Sequence, residues 1–184
     1  TAACPVSVTY GTLNINVSNA EYAYGIASGT DDTASTVSFG RAAVNIDVSA
    51  KEKAQGICYA VNGGGTKPLG ITNSRVRITV RGEGRSSGVY NNEGIYLGHE
   101  GLTINNSLVD VTALADYSRG FAINQNAAAD SSITGNSKVT LRGNGVSQLG
   151  LTGKCTVDLT EDGFVDRMMS YDEYMHIYNE ASQE

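Results

Sequence analysis

The chain has 184 residues, a formal net charge of −6, 40% hydrophobic residues and 22 glycines, which allows one domain and at most a small appendage. That apolar content excludes a disordered chain, and no run approaches the ~18 consecutive apolar residues of a spanning helix, so no membrane insertion is expected. The 13 basic residues gather into no stripe or face, so no nucleic-acid partner is expected either.

No signal peptide is visible at Thr1, so the chain reads as a mature or trimmed segment. Its first predicted element is CPVSV (4–8), which has no coil before it and so points to cover from elsewhere or to other domains of a longer chain. Next comes LNINVS (13–18), whose strict alternation predicts a strand with one apolar and one polar side. A short strand follows at Gly25, Ile26 and Ala27, then the loop GTDDTAS holding Asp31 and Asp32.

The same three elements then return. Phe39, VNIDVS (44–49) and Gly56-Ile57-Cys58 form the second set; Ile71, VRITVR (76–81) and Gly88-Val89-Tyr90 the third. Ile104, VDVTAL (109–114) and Gly120-Phe121-Ala122 form the fourth; Ile133, VTLRGN (139–144) and Gly150-Leu151-Thr152 the fifth. The alternating segments recur at intervals of 31, 32, 33 and 30, and the glycines at 31, 32, 32 and 30. A shared period of this length marks a stacked-repeat architecture.

One repeat cannot bury its apolar side alone, but coils stacked at the ~4.8 Å strand spacing turn equivalent residues into continuous columns. The predicted columns are Leu13–Val44–Val76–Val109–Val139, Ile15–Ile46–Ile78–Val111–Leu141 and Ile26–Ile57–Val89–Phe121–Leu151. The predicted fold is therefore all-β: a single-stranded parallel β-helix, or solenoid, of about five coils over residues 1–160. Asn73, Asn106 and Asn136 stand three residues before their strands, each followed by a serine. Asn tolerates left-handed backbone and bonds locally, so an internal amide ladder is expected there. Coils one and two depart, with Tyr10 and Arg41 in that place.

Beyond CTVDL (155–159), Phe164, Val165, Met168, Met169, Tyr174, Met175, Ile177 and Tyr178 recur at helical spacings, and Ser170 with Glu173 makes a capping box. Residues 161–184 are predicted to be an acidic amphipathic helical cap or tail, with one or two helices over about 163–181. A partner-docking helix is the rival reading. From Glu161 onward there are seven acids against Arg167 alone, so the tail carries the whole charge imbalance. Cys4, Cys58 and Cys155 are too few and too scattered for a disulfide framework or a zinc site, and read as small buried hydrophobes with one optional bridge.

The segments GVY (88–90) and GLTINNSLVDVTA (101–113) resemble the coils of secreted bacterial right-handed β-helices of the pectin-lyase-like superfamily. They look closest to its non-catalytic, carbohydrate-binding members on clostridial and gut-bacterial surfaces. The likeness covers residues 6 to 151 and implies an extracellular or cell-surface location, with a polysaccharide or glycan as partner. Two alternatives remain open: a structural or adhesive segment of a larger surface protein, and a polysaccharide lyase or hydrolase, which share this scaffold.

The residues bear on that choice directly. A lyase needs clustered acids for calcium and a basic group, and a hydrolase needs paired carboxylates. Asp31-Asp32 is the only adjacent acidic pair in the body, and His99-Glu100 the only His beside an acid; neither has a third group at hand, so no catalytic residue is assigned. Asp31, Asp32, Asp116 and Asp130 are the candidates for a calcium site, and no other cofactor is expected. Outward columns Asn45–Arg77–Asp110–Thr140 and Asp47–Thr79–Thr112–Arg142 predict an Arg77–Asp110 ion pair. Tyr22, Lys53, Arg85 and Tyr117 recur three residues before the glycines, with Tyr90 and Tyr96 near the same turns. Aromatic faces beside polar planar groups suit stacking on sugar rings. The predicted ligand-binding residues are thus Tyr22, Arg85, Tyr90, Tyr96 and Tyr117, although tyrosines packed at strand edges give the same pattern.

Overall fold

The computed structural model describes residues 6–27, 36–59, 68–83, 91–98, 100–116, 119–125, 129–144, 149–150 and 154–168. In chain order the strands are β1 (Val6–Ala27), β2 (Val37–Tyr59), β3 (Leu69–Thr72), β4 (Arg75–Gly82), β5 (Asn92–Leu97), β6 (Leu102–Asn105) and β7 (Leu108–Ala115). They continue as β8 (Gly120–Gln125), β9 (Ser131–Gly135), β10 (Lys138–Gly143), β11 (Leu149–Gly150), β12 (Cys155–Leu159) and β13 (Phe164–Met168). Every pairing is parallel, and each strand pairs with its counterpart one lap away. The molecule is a parallel β-solenoid, and no helix occurs among the described residues.

Three ladders run along it. The first stacks Val8, Phe39, Ile71, Ile104, Ile133 and Val157. The second stacks Leu13, Val44, Val76, Val109, Val139 and Val165, with Ile15, Ile46, Ile78, Val111 and Leu141 beside them. Both agree with the sequence periodicity. β-branched residues dominate because they pack well on a pleated surface against an identical neighbour. From β2 to β10 these columns are fully buried and form one core, while at the last rung Val165 is half-buried and Val157 exposed.

The third ladder differs from expectation. It runs Ile26–Ile57–Ile95–Ile123–Leu149 rather than through Val89, Phe121 and Leu151. The glycine that counts in the third coil is Gly94, so the lap from Gly56 takes 38 residues and the next, from Gly94 to Ala122, only 28. Loops absorb such changes at little energetic cost, and an average period hides them. Gly25, Gly56 and Gly94 lie where the third ladder closes onto the second. A Cβ at Gly56 would collide with Ile78 Cγ2 and the Gly94 carbonyl oxygen, so that approach requires glycine.

The corner before the second ladder is left-handed in successive coils: φ is 58° at Tyr10, 52° at Arg41, 49° at Asn73 and 46° at Asn106. One internal ladder does form here, but its main members are serines. The Ala42 amide donates to Ser74 Oγ (3.1 Å), the Ser74 amide to Ser107 Oγ (3.0 Å) and the Ser107 amide to Ser137 Oγ (3.3 Å). All three serines are buried. Asn73 and Asn106 supply the corner conformation in the third and fourth coils and Gly135 (φ 69°) in the fifth, with one axial bond from the Asn136 amide to Asn106 Oδ1 (2.9 Å).

At the far end, residues 164–168 are a strand, not the opening of the expected helix. A turn over 161–163, closed by the Gly163 amide on the Thr160 carbonyl (2.8 Å), delivers Phe164 to the edge of β10. Val165 then continues the Val139 column. FVDRM satisfies period two as well as a helical spacing, and an open edge with an apolar column decides between them. The remainder of the expected cap, including Ser170 and Glu173, lies outside the described residues.

Candidate functional site

Outward side chains of the second ladder form the polar columns expected: Asn14–Asn45–Arg77–Asp110–Thr140 and Asn16–Asp47–Thr79–Thr112–Arg142. Asn45 Nδ2 donates to Asn14 Oδ1 at 2.8 Å. An open depression of about 370 Å³ lies over Asn14, Asn16, Asn45, Asp47, Arg77 and Thr79. The expected Arg77–Asp110 pair does not form. Asp110 instead accepts from Arg142 at 3.1 Å, a diagonal neighbour one coil on, which a long side chain reaches readily. Arg77 has no carboxylate at ion-pair distance among the described residues, and so lines the depression with its charge uncompensated by a direct partner.

Among the described residues three of the four exposed aromatic rings lie on β1, and the fourth is Phe164 at the far end. Tyr22 is 44% exposed and Tyr24 41%, with Ala23 buried between them, so both point outward from the end of β1. Tyr22 stands in register with Lys53, as the sequence implied. Tyr96 is half-buried and in register with Cys58 and Asn124, several positions further along the third ladder. The structure therefore separates Tyr22 from Tyr96. Arg85, Tyr90 and Tyr117 lie outside the described residues. Tyr24 was not expected, nor was Tyr10, the most exposed ring among the described residues at 66%. The signal for Tyr10 was its place at a corner where later coils carry Asn.

Sequence reasoning also missed Glu93, which is 3% exposed. Asn124 Nδ2 donates to its Oε1 at 2.8 Å, and Gln55 Nε2 donates to Oε2. Burial pushes its carboxyl above the usual range, while the Asn124 bond, the nearby Lys53 charge and the Gln55 bond pull it back. Held between two amides, this carboxylate ties β2, β5 and β8 together across three rungs. Cys58 and Cys155 are half-buried. Burial raises both thiols above their ordinary value, which makes them poor nucleophiles. Cys4 lies outside the described residues.

Of the calcium candidates, Asp116 accepts from Arg81 at 3.0 Å and Asp130 is exposed. Asp31, Asp32 and His99 lie outside the described residues, and Glu100 is half-buried. Among the described residues no group of three His, Cys, Asp or Glu side chains converges as a metal site would require. The arrangement offers hydrogen-bonding planes and aromatic edges on a rigid surface. No family model matches the chain, and comparison with curated proteins and with solved structures finds no similar one.

Proposed function

We propose that this solenoid is a non-catalytic carbohydrate-binding module that works outside the cell or on its surface. The observation carrying this reading is the outward surface of the first coils. There the depression over Asn14, Asn16, Asn45 and Asp47 follows the exposed Tyr10 corner along β1, and the exposed Tyr22 and Tyr24 come beyond a second left-handed corner at Asn19. Sugars are recognised by planar amide and carboxylate groups on their hydroxyls and by aromatic faces on their C–H surfaces. A sheet surface holds such groups rigidly, which lowers the ordering cost of binding. The coil pattern of GLTINNSLVDVTA supports kinship with secreted bacterial β-helices of the pectin-lyase-like superfamily.

The test is a glycan array backed by affinity electrophoresis on immobilised polysaccharides. Wild-type protein is expected to be retained by at least one glycan. A Tyr22→Ala/Tyr24→Ala/Asn14→Ala variant, with unchanged circular dichroism and melting, loses at least tenfold in affinity. No retention on any glycan overturns the reading.

A second reading, a structural or adhesive segment of a larger surface protein, draws on β1 itself. Among the described residues β1 pairs only with β2, and its inward Val8, Leu13, Ile15 and Val17 stay half-buried. An open apolar edge of that kind suits a further stacked rung.

A further inference from the structure

The corner before the second ladder is left-handed in the first five coils, at Tyr10, Arg41, Asn73, Asn106 and Gly135, and its residues differ. Asn73 and Asn106 are side chains that settle there because a short amide bonds locally. Tyr10 and Arg41 hold the same conformation at φ 58° and 52° with no such compensation. An L-residue with a long or aromatic side chain is strained there, and strain of this kind points to a need for the side chain itself.

The two side chains are arranged as a unit. Arg41 donates to the Tyr10 hydroxyl, and its guanidinium lies 5.1 Å from the ring centre. Tyr10 nonetheless stays 66% exposed. Arg75 and Arg77 stand outward on β4, one rung beyond Ala43 and Asn45. Ion pairs among the described residues use other arginines, Arg81 and Arg142. Among the described residues no carboxylate lies within ion-pair distance of Arg41, Arg75 or Arg77. Asp47 shares the depression with Arg77 but makes no bridge to it.

We propose that Tyr10, Arg41, Arg75 and Arg77 bind a carboxylate-bearing saccharide, the ring of Tyr10 stacking on a pyranose face and the guanidinium groups pairing with its carboxylates. This rests on the carbohydrate reading above and specifies the charge class of the ligand. Guanidinium forks match carboxylates two bonds at a time, and a neutral sugar leaves them unused.

The experiment measures binding to alginate, polygalacturonate, hyaluronan and polysialic acid, each beside its carboxyl-reduced form, with single-stranded DNA as a polyanion of different kind. At least one acidic polymer binds, and carboxyl reduction or replacement by DNA weakens binding at least tenfold. A Tyr10→Asn/Arg41→Asn variant, which gives coils one and two the corner of coils three and four, melts at or above the wild-type temperature and loses at least tenfold in affinity. An Arg75→Gln/Arg77→Gln variant, altered only at exposed strand positions, loses affinity likewise.

Binding to neutral glycans with no gain from carboxylates overturns this inference and leaves the carbohydrate reading standing. DNA bound as tightly as the acidic polymer, full affinity in both variants, or a corner variant that melts several degrees lower also overturns it. Failure to bind any glycan removes both.

Discussion

The first coil and the coils beneath it are built from the same columns but do not share the same environment. Ile15 is half-buried, whereas Ile46 and Ile78 in the same column are fully buried. The outward surfaces differ in the opposite sense, since the exposed Tyr10, Tyr22 and Tyr24 all lie in the first coil. In a stack each rung draws its stability from its neighbours, and among the described residues the first coil has one where the inner coils have two. Interior coils therefore set the stability, and the first coil has room for binding chemistry.

The largest expected effect sharpens that contrast. Ile78→Ala empties a site sealed on both sides and costs about 4 kcal/mol, whereas Ile15→Ala costs about 1 kcal/mol because its site is already half open. Urea denaturation of both variants measures the difference; equal losses would break the comparison. Serines on the two kinds of rung come next. Ser107→Ala removes the acceptor of the Ser74 amide inside the stack and costs about 2 kcal/mol. Ser7→Ala removes only an exposed partner of Ser38 and changes stability by less than about 0.5 kcal/mol.

The smallest effect concerns Glu93, and its sign follows from burial. A carboxyl raised above its unfolded value holds its proton more tightly in the native state. It adds stability at acid pH that is lost as pH rises through the native value. Glu93→Gln removes this dependence, since Gln55 and Asn124 can turn their amides over to meet the new group. The variant is expected to melt a few degrees above wild type near neutral pH, with the gap closing in mild acid. Melting curves from about pH 4 to pH 8 check it; a variant less stable at neutral pH would show that the bonds to the charge outweigh its burial.

Much of this was legible beforehand. The Val8, Leu13 and Ile15 columns and their outward partners are set by period two and a lap near thirty residues, and the structure pairs them in that register. The third ladder was misread because loop length before it varies, and the second glycine of the region, Gly94, was the one that packs. Ser74 and Ser107 looked like ordinary turn residues, since nothing local says that a corner serine points inward. Glu93 was illegible for a related reason: its burial depends on amides supplied by two other coils. The strand at Phe164 shows the same dependence, an edge with a waiting column overriding a helical spacing.

The serine ladder also has a place where it stops. Ala42 gives its amide to Ser74, but Ala42 has no hydroxyl to offer Gly11, its partner in the coil above. The first turn is thus fastened to the second without the clip that joins the middle turns, and amide hydrogens there should exchange sooner than those of the clipped corners. A sugar acid gripping Tyr10 and Arg41 together would brace that seam from outside, so an unclipped joint would tighten when it is occupied.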